Sequence, residues 1–573
     1  MLDPRCAAER PWVRQHLRVP KSDGSLYARP ELSDAEQVLA SNRELFDAAN
    51  PNLQGRSLQR LRAWARQSVL EAAVRYTSAL RGVDVAPVAD PSVPLIVGGH
   101  QPALFHPGVW AKNFAVAGIA ARAGGIPLHL VVDNDTLPGT RLIVPSGPRE
   151  RPVLDTIAVD VERPAQPWEE ARVLDRGLFE SFARRAGEAL KPWGVRPMAI
   201  DLWQDAVAGA HLTAAINPSR RSAGELPGGS LRDAFTTIRH RLENRWGLQN
   251  LEVPLSHLCQ LDPFLWFTGH ILANLPRFRE VYNTALGQYR RINRVRSRTH
   301  PVPDLKEENG WLEAPFWVWR EGDQVRGRLM ARQEGRCVLL SDGRREFARL
   351  KLAPDMDACC AVEGLRELSQ QGIRLRTRAL TTTLFSRLCL ADVFVHGIGG
   401  AKYDEMTDRI CSRFFGVCPP EFLTVSATVH LPIGPAYNVT AEDERRLETL
   451  LRDLEWNGDR HLSPGWNAVA DTLRAERLAL RNQREPECPP GMSCRKVRHR
   501  ARVERFHRFQ DLARRIAAFT ADQQQKARAE LAQIRQQRAS NSVFRNREYS
   551  FVMFPEEKLR GFMQGIAGID PRD

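Results

Sequence analysis

Residues 92–113 read SVPLIVGGHQPALFHPGVWAKN, and the fold class follows from this stretch. Val93-Pro94-Leu95-Ile96-Val97 is a short unbroken apolar run, the kind buried on both faces of a parallel sheet. Gly98-Gly99 ends the run where residues without a Cβ let the chain turn tightly or let a ligand approach the backbone. From Gly108 the spacing of Val109, Trp110, Phe114, Val116, Ala117 and Ile119 predicts a helix. Strand, glycine turn and helix N-terminus make an anion-binding mouth at the carboxyl edge of a sheet. His100, Gln101, His106, Lys112 and Asn113 set polar groups around that mouth. The same pattern also describes a strand–turn–helix whose histidines are merely structural.

Outward from this stretch, Ile126 to Val132 is a second apolar strand, and it ends in Asp133-Asn134-Asp135. A β–α–β unit of this length is right-handed and parallel, so both carboxylates arrive at the edge that carries His100. Later, Ala391 to His396 runs into Gly397-Ile398-Gly399-Gly400 and a helix with Lys402 in its first turn. These patterns predict that strands 93–97, 126–132 and 391–396 are neighbours in one parallel sheet. His100 and Asp133 are then expected to face one cavity, with Asn113 and Lys402 at its rim. Helix N-termini and Lys402 suit a phosphate or carboxylate, and Asp133 or Asp135 suits an amine, a ribose hydroxyl or a metal-bound water.

The remaining chain divides by periodicity. Residues 1–90 predict a helical N-terminal segment, and 91–435 a parallel-sheet core with a helical insertion near 160–290. Within the core, short β runs near 314–351, separated by Glu321-Gly322-Asp323 and Ser341-Asp342-Gly343, predict an antiparallel meander. Residues 436–573 predict a helical, basic C-terminal region. Its stripe of Phe506, Phe509, Leu512, Ile516, Phe519, Leu531 and Ile534 predicts a long helix over 500–540 with a coiled-coil seam, and a homodimer as the assembly.

Composition narrows the class. A chain of 573 residues holds more than one domain, and 43% hydrophobic with 26% charged residues is ordinary for a globular protein. No apolar run nears the roughly 18 residues of a membrane helix, and the first twelve residues lack a signal peptide's apolar region. Ten scattered cysteines read as reduced thiols, which predicts a cytoplasmic location. Cys411-x6-Cys418 and Cys488-x5-Cys494 are too loosely spaced for a zinc knuckle, so no metal is predicted. The net charge is +14, and Arg495–Arg547 alone holds 15 Lys or Arg against four acids. That run is either a solvated helix face or a surface for nucleic acid.

Gly99-His100-Gln101-Pro102-Ala103-Leu104-Phe105, taken with Ala391-Asp392-Val393-Phe394-Val395-His396-Gly397-Ile398-Gly399-Gly400, resembles the bacillithiol biosynthesis cysteine-adding enzymes. Arg378 before the second turn and the helical C-terminus follow the same order of parts. His100 stands where that family commonly has Gln, and Ala103 where Gly is usual. The resemblance implies an α/β fold with a Rossmann-like core, and a ligase that joins the carboxyl of cysteine to an amino-sugar conjugate. It nominates His100 and Asp133 as catalytic. Gly98, Gly99, Gln101, Asn113, Asp135, Arg378, Gly397, Gly399, Gly400 and Lys402 are nominated to bind substrate or nucleotide, and ATP is the candidate cofactor. Two alternatives stand beside it: a nucleotidyltransferase-like enzyme on another small substrate, and a non-catalytic basic scaffold for nucleic acid.

Overall fold

The structure, a computed structural model, describes residues 17–212, 229–484, 487 and 493–570. The first twelve residues and Cys488, on which the sequence reading drew, lie outside them. The chain divides into two compact units: Met1–Val144, Asp155–Pro432 and Arg547–Asp573 form the first, and Pro145–Leu154 with Ile433–Asn546 the second.

The first unit is mixed α/β. Strand β1 (Ser25–Arg29) is followed by helices α1 (Ala35–Ala48) and α2 (Leu58–Arg81). Helix α2 starts where the Ser57 side chain accepts from the Arg60 N–H, and it stops at Gly82, which adopts φ +71°. Strand β2 (Leu95–His100), helix α3 (Pro107–Arg122) and strand β3 (Ile126–Val131) come next. Helix α4 (Leu231–Arg245) leads to strand β4 (Leu251–Pro254). Ser230 caps α4 by accepting from the Asp233 N–H at 3.2 Å, as its sequence position predicts. An antiparallel sheet is built from β5 (Trp311–Arg320), β6 (Gly327–Glu334), β7 (Cys337–Ser341), β8 (Glu346–Lys351) and β9 (Ile373–Thr377). The chain then returns to the first sheet through β10 (Val393–His396), α5 (Ile398–Ile410) and β11 (Phe422–Thr428).

The main sheet has the order β1-β11-β10-β2-β3-β4. All its strands are parallel except β1, which pairs antiparallel with β11 from Ser25↔Thr428 to Arg29↔Thr424. The three strands predicted as neighbours are neighbours: Ile96 is in register with Val393 and with Pro127. From β2 the chain moves outward to β3 and β4, then jumps back to β10 on the other side of β2. The strand order therefore reverses between β2 and β10, and their carboxyl ends are Gly98-Gly99-His100 and the turn at Gly397. Buried apolar residues of α2, β2, β3 and β4 share one core with the second sheet.

Three boundaries differ from the sequence reading. Residues 1–90 are not a separate helical segment, because β1 completes the main sheet and α2 packs in its core. The helical stretch near 160–290 contains β4, a strand of the main sheet. The C-terminal region is not one piece, since Arg547–Asp573 belongs to the first unit. There α10 (Glu556–Ala567) lies against α3 so closely that a Cβ on Gly118 would stand 2.6 Å from the Ala567 carbonyl oxygen.

The second unit contains α6 (Ala441–Trp456), α7 (Ala468–Asn482), α8 (Cys494–Ala517) and α9 (Ala521–Phe544). A 3-10 turn at Ala518–Thr520 breaks the single helix predicted over 500–540. Most of the predicted stripe is buried within this unit. Leu512 and Ile516 cluster with Leu473 and Leu480, and Leu531 and Ile534 with Leu447.

The cysteines depart from the expectation of reduced thiols: Cys418 and Cys494 are each disulfide-bonded, while Cys259, Cys337, Cys359, Cys360, Cys389 and Cys411 are free. Pairing depends on proximity in space, which sequence spacing does not report. No helix among the described residues is long and apolar enough to cross a membrane.

Candidate functional site

In an open parallel sheet, ligands collect outside the carboxyl ends of the strands where the strand order reverses. Here that place lies between β2 and β10, and Lys112 of α3 reaches it. Lys112 is only 4% exposed in a helix whose neighbours are almost all apolar. Its ammonium donates to the Gly99 carbonyl at 2.9 Å, and Nζ lies 3.8 Å from where a Cβ on Gly397 would stand. It thus touches both glycine turns. Among the described residues no carboxylate pairs with it, and burial pushes its pKa down to about 8. A buried ammonium with a single carbonyl acceptor has donors to spare for an anion.

His100 lies at the end of β2 with its ring edge-on to Phe105. Burial, and next the Lys112 charge, hold its pKa well below the ordinary histidine value, so it is a neutral imidazole at pH 7. Its Nδ1 is buried without a hydrogen-bond partner. The helix cap is made by His106, whose Nδ1 accepts from the Gly108 N–H at 3.0 Å.

The other wall comes from β3 and the second sheet. Gln101 donates to Asp135, whose other oxygen takes Arg326 at 3.2 Å. Arg326 also donates to the Asn134 carbonyl and to Thr136. The Trp317 ring stacks under Arg326 at 4.7 Å and under Arg378 at 4.3 Å. Arg378 forms an ion pair with Glu313 at 2.8 Å, while its Nε and Nη2 have no acceptor. Tyr403 of α5 completes this side. Burial, then Asp404 and Asp135, raise its phenol pKa.

At the end of β10, His396 meets Asp404 at 2.9 Å through Nε2. Asp404 also takes Arg387 at 2.5 Å. Burial opposes charge on Asp404, but Arg387 and His396 outweigh it and hold the carboxyl below its ordinary range. The bond fixes Nε2–H of His396 toward the carboxylate, leaving Nδ1 against Gly400, where a Cβ would stand 2.8 Å away. This bonded histidine escapes sequence reading because Asp404 lies on the helix beyond the turn.

Of the nominated residues, Gly98, Gly99, His100, Gln101, Asp135, Gly397, Gly399 and Gly400 share this edge, with Arg378 beside Arg326. Lys402 is exposed, and because α5 starts at Ile398 it falls on the second turn, not the first. Two placements are corrected. Asp133 does not face the mouth with His100: it is fully buried, takes Arg232 at 3.0 Å and the Ser256 N–H at 2.8 Å, and ties β3 to the segments around it. Asn113 is not at the rim. It is buried and donates to Glu243 at 2.7 Å. Both losses have one cause, partners more than 90 residues away in sequence.

Glu243 belongs to a cluster with His240 and Glu252 whose ligand atoms lie within 4.8 Å of one another, the spacing of a metal site. Its oxygens are already engaged. Arg239 donates to Glu243 at 2.9 Å and to both oxygens of Glu252, Trp110 donates to Glu243 at 2.6 Å, and His240 meets Glu252 at 2.6 Å. A guanidinium between the two carboxylates supplies the positive charge that a cation would bring, so the cluster is a buried ion network. No protein-family model matches the chain, and no curated protein matches it.

Proposed function

We propose that the first unit is an enzyme with a Rossmann-like core that binds a small anionic substrate at the β2–β10 mouth and forms an amide bond. This is the activity of the cysteine-adding ligases that its two glycine turns resemble. The observation that carries the reading is Lys112, a buried ammonium without a carboxylate, held between both turns at the point of strand reversal. A lysine kept only for packing would not carry a charge there, because desolvation of an unpaired ammonium costs several kcal/mol, roughly.

Amide formation needs an activated carboxyl and an amine held together, and positioning is a large share of the catalysis. In this reading Lys112 holds the anionic group of the activated substrate and stabilises charge that develops on it. Neutral His100 accepts a hydrogen bond through Nδ1. Asp135, already oriented by Gln101 and Arg326, replaces Asp133 as the carboxylate for an amine or hydroxyl. His396 is polarised by Asp404 so that Nδ1 is its acceptor.

A thermal-shift screen of nucleotides, cysteine and amino-sugar conjugates tests this. A ligand at 100 times its Kd adds about 2.7 kcal/mol to apparent stability. We expect at least one phosphate- or carboxylate-bearing ligand to raise the Tm of the wild type and to leave Lys112→Met unmoved. If none stabilises the wild type, or if the variant responds equally, the mouth is not the site.

A further inference from the structure

Helix α8 is out of proportion to its packing. It runs for 24 residues, about 36 Å at 1.5 Å per residue, yet its buried residues are Leu512, Ala513 and Ile516 near its end. From Cys494 to Gln510 no side chain is buried. A helix that is polar all round is held by side-chain pairs or by something outside it.

This helix carries few acids of its own. Arg495–Arg508 contains seven Lys or Arg against a single acid, Glu504. Arg500 uses that acid at 3.1 Å, and Arg505 donates to the Gln483 carbonyl. Among the described residues Arg495, Lys496 and Arg508 have no ion-pair partner, and Lys496 and Arg500 stand at i,i+4, which destabilises a helix. The neighbouring basic helix is treated differently. On α9, Arg528 meets Glu455 at 2.9 Å, Arg535 meets Glu444 and Glu448, and Arg538 meets Glu444, all supplied by α6. One unit therefore pairs the arginines of one basic helix with glutamates of a neighbouring helix, while Arg495, Lys496 and Arg508 of the other have no ion-pair partner among the described residues.

The surplus and its shape point to one partner. Charge on all faces of a long helix suits a partner that presents charge on more than one side, as the two backbones flanking a groove do. Phe506, 57% exposed near the end of the basic stretch, offers a stacking surface for a base. The other exposed large apolar side chain there is Val503, and these two are too little for an interfacial membrane helix, which needs a continuous apolar face. We propose that the Arg495–Arg508 half of α8 docks on the phosphate backbone of a nucleic acid. The proposal does not depend on the reading of the mouth.

The test uses the full chain and labelled 25-residue probes of duplex DNA, duplex RNA and single-stranded RNA, followed by fluorescence anisotropy across a salt series. We expect binding to at least one probe, and the three arms separate DNA from RNA. Replacing Arg495, Lys496 and Arg508 together by Gln should weaken it at least about tenfold at low salt and flatten the log–log salt slope by about 2–3. A control with Arg176→Gln, Arg184→Gln and Arg344→Gln, exposed arginines of the first unit, removes the same charge and should bind as the wild type. Photocrosslinking on the unaltered chain should place the contact within residues 494–508, which covers the case of a variant that fails to fold. No binding at 50 mM salt, an equal loss in the control, crosslinks elsewhere, or binding to phosphatidylserine vesicles but to no nucleic acid would each overturn the proposal.

Discussion

Lys112 sets a pH dependence whose sign can be worked out. Holding an ammonium whose pKa is pushed down to about 8 costs about 3 kcal/mol at neutral pH. Because the folded value lies below the unfolded one, that cost is present in full below pH 8 and fades as pH rises toward 10.5. Lys112→Met should therefore be more stable than the wild type by about 1–3 kcal/mol at pH 7, with the gap closing by pH 10. Denaturant titrations at the two pH values check it, and a gap independent of pH would mean that Lys112 is not a buried cation. Anion binding should move the other way, weakening about tenfold between pH 7 and pH 9 as the ammonium is lost. Lys112 was legible in sequence only as one of several polar groups after the glycine turn, beside Asn113, and His100, Gln101 and Asp135 as residues just past strand ends. Asp133 lies closer to the strand end than Asp135, yet Arg232, 99 residues away, claims it. Local pattern places a residue at an edge and leaves undecided which long-range partner has already taken it.

At the level of elements, α3 and α10 of the first unit approach each other backbone to backbone at Gly118. A Cβ on Gly118 would meet the oxygen, carbonyl carbon and Cα of Ala567 at 2.6–2.9 Å, and backbone atoms cannot swing aside as a side-chain tip can. Gly118→Val should cost about 1–3 kcal/mol through overpacking and loosen α10. Limited proteolysis would then cut near Asn546–Phe554 faster than in the wild type, and an unchanged cutting rate would count against this packing. Strands β2, β3 and β10 were easy to read because each is an apolar run followed by glycine or a carboxylate, whereas β4 was not, since its four residues include Glu252. The break between α8 and α9 was not, since Ala518-Phe519-Thr520 contains no proline or glycine to announce it. The basic count was visible, while the pairing of the α9 arginines rests on the glutamates of α6, which only the fold brings near α9.

Across the whole molecule, Asp392 is the tie that closes the main sheet. It takes Arg62 at 2.6 Å and Arg66 at 2.8 Å from α2, and the Leu95 N–H at 2.8 Å from β2. Burial alone would raise its pKa, but the two guanidinium groups prevail and keep it below its ordinary range. Asp392→Ala would leave both arginines buried without their counter-ion and should destabilise the protein by about 3–5 kcal/mol, measured by urea unfolding. A loss under 1 kcal/mol would show that water replaces the carboxylate. The path of the chain through its two units has a further consequence, for the order of synthesis. Phe551, whose N–H donates to the Phe105 carbonyl and whose ring lies 4.6 Å from Trp110, is made only after the whole stretch Ile433–Asn546. At roughly 5–20 residues per second a ribosome needs about 6–23 s for that insertion. Throughout that interval Phe105 and Trp110 stand without their contacts to Phe551 on a nascent chain. Phe551 covers these aromatic side chains only once the tail has emerged.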